Sequence, residues 1–176
     1  MHNLTLLLLI LTAINTNLAS AQTADNVTNR QQQEQLYWST ASQFLSPQNA
    51  ARARLRMRPL QWDSTLAMYA HSYANQRRND CQLRHSNGPF GENIFWGSGT
   101  GWNPGQAVTS WTSERRWYNY WTNSCFWNQQ CGHYTQIVWR NTQRVGCAKV
   151  TCNAGRGVFM ICNYYPPGNY IGERPY

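Results

Sequence analysis

All six cysteines of this 176-residue chain fall between Cys81 and Cys162, and that clustering constrains the fold more than any other feature. Whether they act as staples or as metal ligands depends on the compartment. Residues Leu4 to Ala13 form an apolar run too short to span a bilayer, followed by the small-x-small pattern Ala19-Ser20-Ala21 that suits signal peptidase. Residues 1–21 therefore read as a secretory signal cleaved after Ala21, and no later stretch approaches transmembrane length. An oxidising destination favours three disulfides. A zinc-thiolate site is the competing reading, but the close Cys-x-x-Cys pair typical of such sites is absent. Six cysteines permit fifteen connectivities, and the sequence alone does not choose among them.

The rest suits one domain, 36–176, expected to be a monomer. It is preceded by a polar stretch, residues 22–35, that reads as a flexible mature N-terminus and carries the glycosylation sequon Asn26-Val27-Thr28. The net charge is +8, and Lys149 is the only basic residue that is not arginine. Apart from Arg52, Arg54, Arg56 and Arg58 the arginines are scattered, which describes a solvated cationic surface and not the tight stripe of a nucleic-acid binder.

Apolar residues Tyr37, Ala41, Phe44 and Leu45 fall on one helical face. Ser46-Pro47 then offers an N-cap and a first-turn proline, predicting a second helix that stops before Pro59. Asp63 is placed to cap a third helix with Leu66, Ala70, Tyr73 and Arg77 on one face, and Asn87-Gly88-Pro89 is a turn cluster. Gly97-Ser98-Gly99-Thr100-Gly101 lacks the Lys-Ser/Thr ending of a phosphate loop and reads as a surface loop. Asn103-Pro104 opens a fourth helix with a stripe of Ala107, Trp111, Glu114 and Tyr118. Residues 145–152 and 158–162 read as a strand hairpin around Asn153 to Gly157, and the tail 166–176 as extended.

Site chemistry concentrates in two imidazoles and two carboxylates, His85, Glu92, Glu114 and His133, all within the cysteine-bracketed region. Glu114 is the informative member, because a carboxylate on an apolar helix stripe needs a histidine or a metal as partner. The four groups can supply nitrogen and oxygen ligands to Zn²⁺ or another divalent ion, or they can hydrogen-bond pairwise with no metal required. A metal-dependent hydrolase or protease is the enzymatic alternative. It lacks the His-Glu-x-x-His helix, and Ser86 has no evident orienting partner, so no catalytic residue is assigned.

Gly91-Glu92-Asn93-Ile94, the run Cys131-Gly132-His133-Tyr134-Thr135-Gln136-Ile137-Val138-Trp139 and the run Cys162 to Tyr170 resemble signatures of the CAP superfamily, in particular the plant group-one pathogenesis-related proteins. Asn49 to Arg54 and Tyr73 to Arg78 resemble further pieces of the same pattern. The resemblance implies an α+β fold, a three-layer α-β-α sandwich with a small antiparallel sheet, and bridges Cys81–Cys152, Cys125–Cys131 and Cys147–Cys162. It places His133 in a short helix and gathers His85, Glu92, Glu114 and His133 in one cleft. Gln48 departs from the His that many relatives carry before Asn49.

The implied activity is defence against fungal or oomycete pathogens by binding, not turnover, from the apoplast, with the vacuole as the less favoured location. Some CAP proteins contact sterols through an aromatic, caveolin-like loop. Here the candidates for sterol or other membrane lipid are Trp117, Tyr118, Tyr120, Trp121, Phe126 and Trp127, although their spacing fits that motif imperfectly. The tail Pro166 to Tyr176 resembles a defence-signalling peptide that related proteins release after an aspartate. Tyr165 stands where that aspartate would be, so release is expected to be poor.

Overall fold

The computed structural model describes the backbone of residues 2–176 and the side chains of residues 22–176. Two compact units are distinguished, Met1–Ser39 and Thr40–Tyr176. Helix α1, His2–Ala53, supplies all the secondary structure of the first. Its residues 22–39 are exposed, including Asn26 of the sequon. The flexible N-terminus expected over residues 22–35 is therefore helical. Its Gln- and Glu-rich run, Gln31 to Gln35, is made of good helix formers, and the chain has no proline before Pro47 and no glycine before Gly88. The signal-sequence reading concerns residues 1–21, whose side chains lie outside the described residues.

In the second unit Pro47 does not begin a new helix, as Ser46-Pro47 predicts, but sits inside α1. Proline in a helix interior costs about 3 kcal/mol, because it removes one backbone bond and crowds the preceding turn. The helix continues because its buried stripe, Ala41, Phe44, Gln48 and Arg52, is contiguous across the proline.

Four strands form the main sheet in the order β1 (Gln61–Trp62), β5 (Arg144–Thr151), β6 (Gly157–Tyr165) and β2 (Gly91–Ser98). The pairs β5–β6 and β6–β2 are antiparallel, whereas the two-residue β1 runs parallel to β5. The hairpin β5–β6 turns through a 3₁₀ segment, Asn153–Gly155, in the place its turn residues predict.

Helix α2, Ser64–Gln76, covers one face of the sheet. Asp63 caps it by accepting the N–H groups of Thr65 and Leu66 at 2.9 and 3.1 Å. Ala70 and Ala74 pack there on Ala148, Val150, Phe159 and Ile161. Close approach is possible because Gly146 has no side chain: a Cβ there would lie 2.1 Å from the Ala67 nitrogen.

The opposite face is covered by the C-terminal turns of α1, by α3 (Pro104–Ser113) and by α4 (Gly132–Ile137). Phe44, Val108, Trp111, Tyr134 and Ile137 meet Cys147, Met160, Cys162 and Tyr164 in the larger core. These layers form the α-β-α sandwich. Disulfides join Cys81 to Cys152, Cys125 to Cys131 and Cys147 to Cys162, the pairs the resemblance implies.

Helix α3 has its expected N-terminus, with Asn103 and Gln106 forming a reciprocal capping box. It ends earlier than the stripe through Tyr118 predicts. The hydroxyls of Thr112 and Ser113 bond back to the carbonyls of Val108 and Ser110, competing with the helix, and Glu114–Trp117 tightens into a 3₁₀ turn. Tyr118 then already belongs to β3, Tyr118–Asn119, which pairs with β4, Ser124–Cys125.

Candidate functional site: two imidazole–carboxylate pairs and an aromatic loop

Glu92 is the second residue of β2. Facing it is the segment after Cys81, which is tied to the sheet by the Cys81–Cys152 bridge and steadied where Tyr73 Oη donates to the Arg84 carbonyl at 2.7 Å. One Glu92 oxygen, Oε1, lies 2.6 Å from His85 Nδ1 and accepts the Ser86 N–H at 2.9 Å. The other, Oε2, accepts the Ser86 hydroxyl at 2.6 Å. The carboxylate raises the His85 pKa above its ordinary value, against the opposing effect of burial. Burial works to raise the Glu92 pKa, but the hydrogen bonds from His85 and Ser86 together win and hold it below its ordinary value.

Glu114 repeats the scheme from the end of α3. Its Oε1 lies 2.6 Å from His133 Nδ1, while Oε2 accepts the N–H groups of His133 and Tyr134 at 3.0 and 3.1 Å. The side chain thereby caps α4, whose own N-cap residue, Cys131, makes no side-chain cap. Trp111 stacks on the His133 ring at 6.0 Å between centroids. The partner that Glu114 needs is thus the histidine.

Among the described residues no ion pair links one His–Glu pair to the other. Side chains alternate along a strand, so Glu92 shares a sheet face with Ile94, which packs under α2. Asn93 projects to the other face, where its Nδ2 donates to the His133 carbonyl at 3.0 Å and to Tyr164 Oη at 3.1 Å. Among the described residues, no group of three or more His, Cys, Asp or Glu side chains could hold a metal ion. Each carboxylate is already committed to its imidazole and to backbone N–H groups. The four donors implied by the resemblance stand as two hydrogen-bonded pairs, His85–Glu92 and Glu114–His133.

Ser86 forms no serine–histidine pair: its hydroxyl donates to Glu92, and the His85 ring bonds to the same carboxylate. A cavity of about 210 Å³ beside this pair is lined by His85, Ser86, Glu92, Gln136 and Asn169, among others, and by neither Glu114 nor His133.

The aromatic candidates divide into two groups. Trp117, Tyr118 and Tyr120 are half-buried: Trp117 packs on Phe126, Tyr118 on Tyr134, and Tyr120 stacks on Tyr176 at 5.0 Å. By contrast Trp121, Phe126 and Trp127 are 83, 65 and 87% exposed. Their loop is pinned by β3–β4, by the Cys125–Cys131 bridge and by Arg174, which donates to the carbonyls of Tyr120 and Trp121 at 3.2 and 3.0 Å. Arg116 lies over the Trp117 ring and Arg174 over the Tyr120 ring.

Sequence reasoning missed three supporting residues. Asn93 joins the two halves of the site. Gln48 is fully buried and accepts from Tyr164 Oη at 2.8 Å. Arg52 is also buried, and its guanidinium donates to the carbonyls of Arg58, Ile137, Trp139 and Thr142 at 2.8 to 3.1 Å. For Gln48 and Arg52 the available signal was a polar residue on an otherwise apolar helical stripe; Asn93, in β2, offered no such periodicity. The tail, expected to be simply extended, is tied down: Arg140 N donates to the Pro175 carbonyl at 2.6 Å, Asn123 to that of Glu173 at 3.0 Å, and Asn169 to that of Gly132 at 2.8 Å.

Comparison with known proteins gives a concordant result. Residues 45–164 match the profile of the CAP, cysteine-rich secretory protein family. The chain is 64% identical over 138 residues to pathogenesis-related protein PR-1 of Medicago truncatula, covering 78% of this chain and 80% of that protein. It is 55% identical over 134 residues to pathogenesis-related protein PRMS of Zea mays, covering 76% and 80%. Among solved structures, Na-ASP-1 superposes with a TM-score of 0.67 at 28% identity, over 78% of this chain and 41% of that one.

Proposed function

The chain belongs to the CAP family and is a plant pathogenesis-related defence protein, and we propose that it acts outside the cell by binding sterol or a related lipid of the pathogen membrane. The observation that carries this reading is the exposure of Trp121, Phe126 and Trp127 on one disulfide-clamped loop. Large rings kept in water by a rigid loop are costly unless they have an apolar partner, and tryptophan partitions readily to the membrane interface. Behind them, Arg116 and Arg174 supply positive charge toward lipid headgroups. No helix among the described residues is long and apolar enough to cross a membrane, so the contact envisaged is peripheral.

On this reading the His–Glu pairs are architectural. They hold the 81–90 segment and α4 in place, and they need no metal or cofactor to do so. Turnover is not part of the proposal, since each imidazole is bonded through Nδ1 to a carboxylate and the Ser86 hydroxyl donates to Glu92 and not to a histidine. Release of the tail as a signalling peptide is disfavoured by Tyr165 and by the bonds that hold residues 169–175 to the domain.

Titrating the purified chain with a fluorescent sterol tests the proposal. Saturable binding is expected, weakened at least tenfold by the joint change Trp121→Ala and Trp127→Ala, on the scale of about 1.4 kcal/mol per tenfold. Absence of saturable binding, or equal binding by the variant, would overturn it.

A further inference from the structure

A second opening in the fold is independent of both the His–Glu pairs and the aromatic loop. It is a cavity of about 590 Å³ between the turn that follows α1 and the segment preceding β5. Its lining residues include Arg56, Arg58, Arg140, Asn141 and Gln143, together with the buried Arg52. No lining residue is acidic and none is aromatic. Arg56 sits at a positive φ of 55°, a conformation that fixes the turn on which these arginines are displayed.

The charge here lacks compensation. None of the four ion pairs among the described residues involves Arg52, Arg56, Arg58 or Arg140. The Arg52 guanidinium donates to four carbonyl oxygens, yet it is a buried cation with no counter-charge, and burial lowers its pKa to about 10. Three further arginines, Arg56, Arg58 and Arg140, line the same cavity. An anion seated there would supply the missing negative charge and could meet the guanidinium edges bidentately.

We propose that this arginine-lined cavity binds an acidic oligosaccharide, a short chain of uronate sugars, through Arg56, Arg58 and Arg140. Carboxylates answer the guanidiniums, sugar hydroxyls answer the amides of Asn141 and Gln143, and Met57 and Pro59 offer apolar surface to the sugar C–H faces. A nucleotide would want an aromatic platform, which the lining lacks. A bare phosphate would leave the amides unused. Such a site would let a cationic extracellular protein be retained on an acidic polysaccharide while its aromatic loop stays free.

The test is calorimetric titration of the full chain with a trigalacturonate, with its fully methyl-esterified form and with inorganic pyrophosphate. Expected are saturable binding of the trigalacturonate, none of the ester, and weaker binding of pyrophosphate. The triple variant Arg56→Gln, Arg58→Gln, Arg140→Gln should lose roughly tenfold or more in affinity, about what three partly exposed charge contacts contribute. It should also leave sterol titration unchanged, which separates this site from the loop. Equal binding of the methyl ester, full affinity in the variant, or tighter binding of pyrophosphate than of uronate would each overturn the assignment. Amide shifts at Asn141 and Gln143 on uronate addition give a second reading, and shifts confined elsewhere would equally refute it.

Discussion

Glu114 Oε1 lies 2.6 Å from His133 Nδ1 while Glu114 Oε2 accepts the backbone N–H of the same histidine at 3.0 Å, so one carboxylate fixes both the ring and the start of α4. Replacing it should cost more than a surface ion pair. Glu114→Ala removes the helix cap and is expected to lower unfolding free energy by about 1–2 kcal/mol. Glu114→Gln, which keeps an acceptor oxygen, should fall between that variant and the native chain. Urea unfolding measures both, and equal stability of all three would refute the capping role.

His85 and Glu92 predict a pH dependence with a definite sign. The raised His85 pKa contributes stability that is complete below its ordinary value of 6.5 and is lost as pH rises through the raised value. The lowered Glu92 pKa contributes stability that is complete above its ordinary value of 4.5 and is lost as pH falls through the lowered value. The stability gap between the native chain and His85→Gln should therefore be widest at about pH 5.5 and shrink toward pH 8. The histidine is 56% exposed, so the gap is small and salt-sensitive. Thermal scans across pH check it; a gap that widens toward alkaline pH would contradict the pairing.

Arg52 is expected to be the least replaceable arginine. Arg52→Ala would leave four carbonyl oxygens without their donor and should destabilise by about 3 kcal/mol or more. Arg52→Lys should recover only part of this, since one ammonium cannot span the same fork. Denaturant midpoints of both variants, set against the exposed Arg54→Ala, measure the difference.

The three bridges should differ in what their removal does. Under the chain-entropy view, opening Cys81–Cys152, with a separation of 71 residues, costs about 4 kcal/mol, and opening Cys125–Cys131, with a separation of 6, about 2 kcal/mol. Double serine variants followed by melting should show the larger loss in Tm for the first. The second should lose sterol binding more than it loses Tm, because it clamps the aromatic loop.

Much of this was legible locally. Asp63, the Asn103-Pro104 start and the β5–β6 hairpin are written in caps, turn residues and alternation, signals that act within a few residues. Pro47 misled because propensity is local whereas the buried stripe from Ala41 to Arg52 is tertiary. The four site residues were recognisable by type. Their pairing, His85 with Glu92 and Glu114 with His133, rests on side-chain geometry, and nothing in Gly91-Glu92-Asn93-Ile94 reveals it. The carbonyl cage around Arg52 is built from residues up to 90 positions away, and no short pattern announces it.

The most direct measurement is growth inhibition of an oomycete that must take up sterol, with the purified chain titrated against added sterol. Inhibition relieved in proportion to the added sterol, and absent for the joint variant Trp121→Ala and Trp127→Ala, is the result expected. Inhibition that sterol does not relieve, or that the variant retains, would show that the aromatic loop is not what engages the pathogen.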